Sequence, residues 1–311
     1  MSFGAHFLCY DIAMISKRAR IVKKLLKAGM NKHAYSNANI QRHRKKFDNN
    51  LKILFLEHTS RHSSRQIIAG IPTYWFYPEQ KTNRTIFYVH GGGFIFGSPL
   101  THAQHTARLA KACKATVISV EYSLAPEQVF PAALHELQKV WQALAGTTID
   151  PNSTVIMGDS AGGNLALALS LSIRDEGLPS PGCIVLLSPA LDAHFSGQSY
   201  ITNAERDPVL TQEKIDFFLN AYIGEESKHN PLVAPVHATL EGLPPMLIQV
   251  GTDEILLSDS ETIQHNATRD GAEVTLDIAE GMWHGYQLFA SYIPESKHAI
   301  TRIAKFLDKY I

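Results

Sequence analysis

Residues 154–173 read TVIMGDSAGGNLALALSLSI. The opening TVIM is a short apolar run of the kind a buried strand carries, and NLALALSLSI reads as a helix. Between them Gly158, Asp159, Ser160, Ala161 and Gly162 leave room for one sharp turn. A serine just before a helix is a favoured N-cap, and that is the plain reading. The flanking glycines argue for more. A strained strand-to-helix turn brings backbone atoms together where side chains would clash. It also pushes the serine hydroxyl out at a helix N-terminus, where N–H groups and the dipole favour negative charge. Ser160 is therefore read as a nucleophile in a G-x-S-x-G turn.

Outward from this turn, strand-like and helical runs alternate. TIFYVH, ATVISVEY and TVIM are separated by helical patterns at 102–113 and 131–144. CIVLLSP follows a helix at 162–174, PMLIQVG follows a longer polar stretch, and EVTLDI follows a helix at 258–269. A last helix is expected at 296–309. This alternation predicts an α/β fold with a mostly parallel central sheet flanked by helices. The earlier runs LKILFLE, RQIIAGI and TYWFYP read as strands, antiparallel at first. Residues 192–235 break the rhythm, with a helix at 211–222 and no clear strand, and read as an insertion where a lid would sit. Residues 12–28, IAMISKRARIVKKLLKA, set Ile12, Ile15, Val22, Leu25 and Leu26 on one helical face, with Gly29 as a stop. The expected organisation is the N-terminal part of a helical cap at 1–50 and a catalytic domain at 51–311, with a cap insertion at about 192–235.

The chain has 311 residues, 45% hydrophobic and 19% charged, an ordinary balance for a globular protein. Its formal net charge is zero, but residues 1–65 hold 14 Lys and Arg against 3 Asp and Glu. That basic segment contains no recognisable nucleic-acid module, so no nucleic-acid partner is expected. Its amphipathic helix is read first as a cover for the protein's own site, because most such helices bury their apolar stripe internally. Peripheral contact with an anionic membrane is compatible with that role. No apolar run reaches the length of a membrane span. The N-terminus makes a poor signal peptide, since its charges follow the apolar stretch and Asp11 interrupts it. Cys9, Cys113 and Cys183 are too few for a disulfide framework. These features predict a cytoplasmic location.

A serine hydroxyl is a weak nucleophile without a base, and the base needs an orienting acid. Groups that act on a ligand collect at the C-terminal ends of parallel strands. IQVGTDEILLSD places Asp253 just past one expected strand, and IAEGMWHGY places His284 just past the next. The order serine, acid, histidine suits a triad on this architecture. For Asp253 a helix N-cap stays open as the plainer role, and the rival Asp259 lies well inside a helical stretch. Donors for a developing oxyanion are also needed. HGGGF at 90–94 follows a buried strand, and its bare glycines let backbone N–H groups approach a carbonyl oxygen. HGGG is an oxyanion-loop pattern completed by the residue after the nucleophile, which makes Gly92, Gly93 and Ala161 the expected donors. The pairs His102/His105 and His58/His62 have spacings that suit a metal on a helix. No carboxylate motif stands beside them, so no metal site is expected.

Taken in order, VHGGGFIFGS, EYSLAPEQVFPAAL, GDSAGGNLA, SPALD, DPVLT, LPPMLIQVGTDEILLSDS and MWHGY resemble the hormone-sensitive-lipase family of α/β-hydrolases, the bacterial family IV esterases. The resemblance runs from about residue 70 to the end. The first 50 or so residues match only loosely, as that family's variable N-terminal cap does. The resemblance implies an α/β-hydrolase fold with a helical cap and a serine carboxylesterase acting through an acyl-enzyme on a small-molecule ester of short to medium chain. It implies no metal or organic cofactor. It assigns Ser160, Asp253 and His284 to the triad, and His90 with Gly91 to support of the oxyanion loop rather than acid–base chemistry. Glu121 stands where the family often has aspartate, and its neighbours suggest a structural role. The family's Asp-Pro-Leu around the acid reads DEIL here, so a glutamate follows Asp253, which aligns best. Phe94, Phe96, Phe195, Phe217 and Tyr222 are expected to line the substrate pocket. Dimerisation is common in the family, which leaves a homodimer open. Two other readings also stay open: an amide, carbamate or formamide hydrolase with the same triad, and a non-catalytic small-molecule binding protein on this scaffold.

Overall fold

The structure, a computed structural model, describes residues 6–7, 15–29, 40–54, 63–80 and 82–311. Its strands are β1 (His6–Phe7), β2 (Ser63–Ile68), β3 (Ile71–Phe76), β4 (Thr85–Val89), β5 (Thr116–Val120), β6 (Thr154–Asp159), β7 (Cys183–Leu187), β8 (Met246–Gly251) and β9 (Val274–Ala279). They form one sheet in the order β1-β9-β8-β7-β6-β4-β5-β3-β2. Among the described residues only β3 runs against its neighbours, pairing antiparallel with β2 and β5. The other pairs are parallel. Strands β4, β6, β7 and β8 are buried at every position. A strand covered on both faces needs apolar residues throughout, which is why these runs do not alternate.

The helices are α1 (Lys17–Gly29), α2 (Ile40–Leu54), α3 (Ala103–Cys113), α4 (Ala132–Leu144), α5 (Ala161–Asp175), α6 (Ser199–Thr202), α7 (Gln212–Ile223), α8 (Leu257–Asp270) and α9 (Pro294–Tyr310). On one face of the sheet Phe87, Ile118, Ile156, Ile184 and Ile248 pack with Leu137 and Trp141 of α4, Leu165 and Leu169 of α5 and Ile263 of α8. On the other, Ile86, Val117, Val155 and Val185 pack with Leu109 of α3 and Ile303 and Leu307 of α9. The two sets alternate along each strand, as the pleat requires. Full burial of each such side chain is worth about 1.5–3 kcal/mol. The helices expected from 102 onward are all found, within two residues at either end. This is the predicted α/β architecture.

The N-terminal segment departs from expectation. LKILFLE is not a strand where it is described: α2 continues through Leu54. Ile40, Phe47, Leu51 and Leu54 recur at helical intervals, and that period overrides the β-rich appearance of the run. Helix α1 starts at Lys17 rather than at residue 12, because the Ser16 hydroxyl caps it by accepting the Ala19 N–H at 3.1 Å. The expected residues 12–14, like Cys9, lie outside the described residues. Residues 6–7 add an edge strand beside Thr275 and Leu276, so the described residues up to Leu54 supply a strand as well as α1 and α2.

Candidate active site

Strand β6 ends at Asp159 and α5 begins at Ala161, so Ser160 alone makes the turn. Its φ of 54° and ψ of −122° lie where non-glycine residues rarely sit, at a cost of about 1–3 kcal/mol. The turn is held by the Ser160 N–H on the Leu187 carbonyl at 2.9 Å, and by Asn164 and Ala190 N–H groups on the Ser160 carbonyl at 3.2 Å. The flanking glycines are there for closeness. A Cβ on Gly158 would run into the Gly162 carbonyl, and one on Gly162 into the Val89 carbonyl.

The Ser160 hydroxyl lies 3.0 Å from His284 Nε2. On the far side of the ring, Nδ1 lies 3.2 Å from Glu254 Oε2. Glu254 is fully buried, and its Oε1 accepts from the Ser188 hydroxyl at 2.7 Å and the Gly251 N–H at 2.6 Å. Burial works to lower the His284 pKa, but the hydrogen bond and charge of Glu254, with Asp207 behind it, raise it above the ordinary value. With its proton on Nδ1, the ring turns a lone pair toward the Ser160 hydroxyl.

The expectation that Asp253 orients His284 is corrected by this geometry. The Asp253 carboxylate is taken by ion pairs with Lys23 of α1 and Arg206, which lies between α6 and α7. Past Gly251 the chain turns, with the Asp253 N–H on the Met282 carbonyl at 3.0 Å and the Glu254 N–H on the Gly251 carbonyl at 3.2 Å. Successive side chains therefore point apart, Asp253 toward Lys23 and Arg206 and Glu254 toward His284. Asp259 has other work: buried in the first turn of α8, it accepts the Leu191 and Asp192 N–H groups at 2.7 and 3.0 Å. Burial, with Asp192 nearby, pushes its carboxyl up to about 7.

The loop after β4 carries His90 to Phe94. Gly92 adopts φ 127°, open to glycine alone, and its carbonyl accepts the Ile95 and Phe96 N–H groups at 3.2 and 2.8 Å. Gly92, Gly93, Ser160 and Ala161 face one cavity. Ala161 is the first residue of α5, where an N–H has no partner within the helix. His90 stacks on Tyr122 with centroids 4.3 Å apart, and its Nδ1 lies 2.9 Å from the Gly91 carbonyl. Burial, with His102 close by, pushes the His90 ring down to about 3, so it stays neutral.

Three residues behind this loop were not anticipated in these roles. The Gly91 N–H donates to Asp159 Oδ1 at 2.9 Å and the Tyr88 hydroxyl to the same oxygen at 2.7 Å. His102 Nε2 stands 3.4 Å from Asp159 Oδ2. Burial works to raise Asp159, but the charge and hydrogen bond of His102 hold it below the usual carboxylate range. The residue before the serine thus anchors the glycine loop from beneath. His102, considered above only as a metal ligand, stands against the other oxygen, where burial works to lower its pKa but the Asp159 charge raises it. The polar Asp159 inside an otherwise small-residue turn was the available signal.

The cavity holds about 300 Å³. Phe94 and Phe96 line it, with Leu26 of α1 and Ile215, Phe218 and Leu219 of α7. Three expected liners are corrected. Tyr222 stacks on Phe94 from outside, centroids 3.9 Å apart. Phe195 packs on Tyr200 at 5.3 Å. Phe217 is displaced by its neighbour Phe218, since one residue along a helix turns the side chain by about 100°.

Residues 86–288 match the family model for the alpha/beta hydrolase fold. The chain belongs to the α/β-hydrolase family. Within it, this hydrolase is 36% identical over 240 residues to an esterase of Acinetobacter venetianus, covering 77% of this chain and 79% of that protein. It is 33% identical over 246 residues to the carboxylesterase NlhH of Mycobacterium tuberculosis, covering 76% and 77%. Among solved structures, EstE5 superposes with a TM-score of 0.89 at 32% identity, over 94% of this hydrolase and 98% of that chain. An esterase of the bacterial hormone-sensitive lipase family does so at 0.88 and 32%, over 96% and 100%. The resemblance read from the motifs is the one these matches show. No helix among the described residues of the hydrolase is long and apolar enough to cross a membrane.

Proposed function

We propose that this hydrolase is a carboxylesterase that cleaves short- to medium-chain acyl esters through an acyl-enzyme on Ser160. The observation that carries the reading is the hydrogen-bonded line from Ser160 Oγ through His284 to Glu254. Ser160 attacks the ester carbonyl while His284 Nε2 takes its proton. Glu254 holds the ring in the required tautomer and stabilises the imidazolium. The N–H groups of Gly92, Gly93 and Ala161 receive the oxyanion. His284 then passes its proton to the leaving alkoxide, and water releases the acid by the same steps. The names of the relatives favour the ester over the amide, carbamate or formamide. Cys113 and Cys183 are buried and unpaired, which suits a reducing compartment, and the cytoplasm stays the proposed location.

A p-nitrophenyl ester series from acetate to palmitate tests the substrate class. Turnover should be fastest at short to medium chains and fall steeply beyond them, because the cavity lined by α7 and Leu26 of α1 holds only about 300 Å³. A maximum at palmitate would overturn the chain-length assignment, and no turnover at any length would overturn the esterase.

The pH profile supplies a second test. The base form of His284 is the competent one, and its pKa is raised in the fold. The acid limb of kcat/KM is therefore expected above the ordinary histidine value of about 6.5. Activity should fall as pH drops through that point and hold on the neutral to alkaline side. An acid limb below about 6 would remove the carboxylate from the proposed role.

A further inference from the structure

Three histidines meet at the neck of the cap insertion. His194 lies just after the insertion begins, and His229 and His237 lie where it returns. Their ring centroids stand 4.3 Å apart for His194 and His229, 5.2 Å for His229 and His237, and 5.7 Å for His194 and His237. One ring nitrogen from each lies within 4.8 Å of the others, and all three residues are exposed.

The backbone that presents these rings is held in place. The His194 N–H donates to Asp192 Oδ1 at 2.8 Å, and Asp192 Oδ2 accepts the Ser196 N–H at 2.7 Å. The His229 N–H donates to the Ser227 hydroxyl at 3.1 Å. His237 ends the short helical turn Pro235–His237, its N–H on the Ala234 carbonyl at 3.0 Å. Beside it, the Val236 N–H reaches the Leu191 carbonyl at 3.3 Å and ties the two ends of the insertion together.

Three imidazoles without an oxygen ligand form a donor set for zinc, copper or nickel, whereas calcium and magnesium take oxygen. Zn–N bonds of about 2.0–2.1 Å place tetrahedral ligand atoms roughly 3.4 Å apart. Each ring then has to move inward by about 1 Å or less, which an exposed side chain achieves by rotation about its own bonds. The exposed side leaves a fourth position to water. We propose that His194, His229 and His237 bind one divalent transition-metal ion of the zinc type, which staples the insertion to the catalytic domain. The staple would act on the cavity roof. Helix α7 lies between its ligands in the chain, and Ala193 and Val233, close by in sequence, line the cavity.

The test uses the full chain stripped with chelator and titrated with Zn²⁺ by calorimetry, beside His229→Gln and His237→Gln. The wild type should bind one ion at this site, and Co²⁺ in its place should give the visible absorption of a tetrahedral centre. At 100 times Kd, Zn²⁺ should raise the folded-to-unfolded ratio about 100-fold, read as a rise in Tm. Loss of an outer-sphere partner alone costs about 10–100-fold in metal affinity, so removing a ligand should cost about 100-fold or more. Both variants change exposed side chains away from Ser160 and should keep wild-type ester hydrolysis without metal, which shows that they fold. No binding by the wild type, or equal Zn²⁺ affinity in the wild type and both folded variants, would overturn the site. The second result would place the ion on other histidines, His284 among them.

Discussion

Ser160→Ala should lower kcat for ester hydrolysis by roughly 10⁵- to 10⁶-fold, the scale seen when a triad nucleophile is deleted. The protein should remain folded. Among the described residues the Ser160 side chain hydrogen-bonds to His284, and the hydrogen bonds that hold the turn run through the backbone. Ser160→Gly separates the nucleophile from the strain. At φ 54° and ψ −122° a serine is held against its preference, and glycine is not. The glycine variant should thus be as inactive as the alanine variant yet melt above it, by about 1 kcal/mol of stability. Steady-state kinetics on a p-nitrophenyl ester and thermal melts of both variants make the measurement. Residual activity within a hundredfold of wild type would remove Ser160 from the mechanism. A glycine variant no more stable than the alanine variant would remove the strain argument.

The parts of the site that could be read from sequence are those where the backbone dictates residue type at fixed spacing. Gly158 and Gly162 must be bare because carbonyl oxygens occupy the space of their Cβ atoms. Gly92 must be glycine for its φ. Such constraints leave a local pattern, and Ser160, the glycine loop and His284 followed from it. The sheet was equally legible, because its central strands are buried on both faces and so carry unbroken apolar runs.

What escaped depends on rotation about an element's axis or on closure over distance. Phe217 and Phe218 are equally apolar neighbours, and only the phase of α7 against the cavity chooses between them. Over its described residues, 51–54, the strand expected at LKILFLE is helix, because a short apolar run fits either period and α2 extends far enough upstream to decide it. His194 and His229 are 35 positions apart. No local spacing joins them, and they meet only because the insertion closes on itself. Asp159 was visible as a residue, but its bond to the Gly91 N–H comes from β4 and β6 lying side by side.

The acid is the sharpest case, because two carboxylates are adjacent and the turn after β8 sends them opposite ways. Glu254→Gln should lower kcat/KM by about 10⁴-fold, the scale of a triad acid changed to its amide. Both of its oxygens are accepting, Oε1 from Ser188 and Gly251 and Oε2 from His284 Nδ1. An amide has one oxygen to offer. If that oxygen keeps the two donors at Oε1, the NH₂ group meets Nδ1 and drives the ring proton to Nε2, where it blocks proton uptake from Ser160. If the amide turns over, NH₂ is buried against Ser188 and the Gly251 N–H. Glu254→Asp keeps the charge but draws it back by one methylene, and a displacement on the order of 1 Å costs about 100-fold. Asp253→Asn should behave differently. It releases Lys23 and Arg206, whose side chains are 24% and 53% exposed and so regain water. The stability loss should be about 1 kcal/mol or less, with kcat/KM within about tenfold of wild type. Proton NMR gives a readout independent of rate. The deshielded His284 Nδ1 proton should survive in Asp253→Asn and vanish in Glu254→Gln. If the Asp253 variant lost activity and that resonance while the Glu254 variant kept both, the acid would be Asp253, and the ion pairs to Lys23 and Arg206 would have to break during turnover.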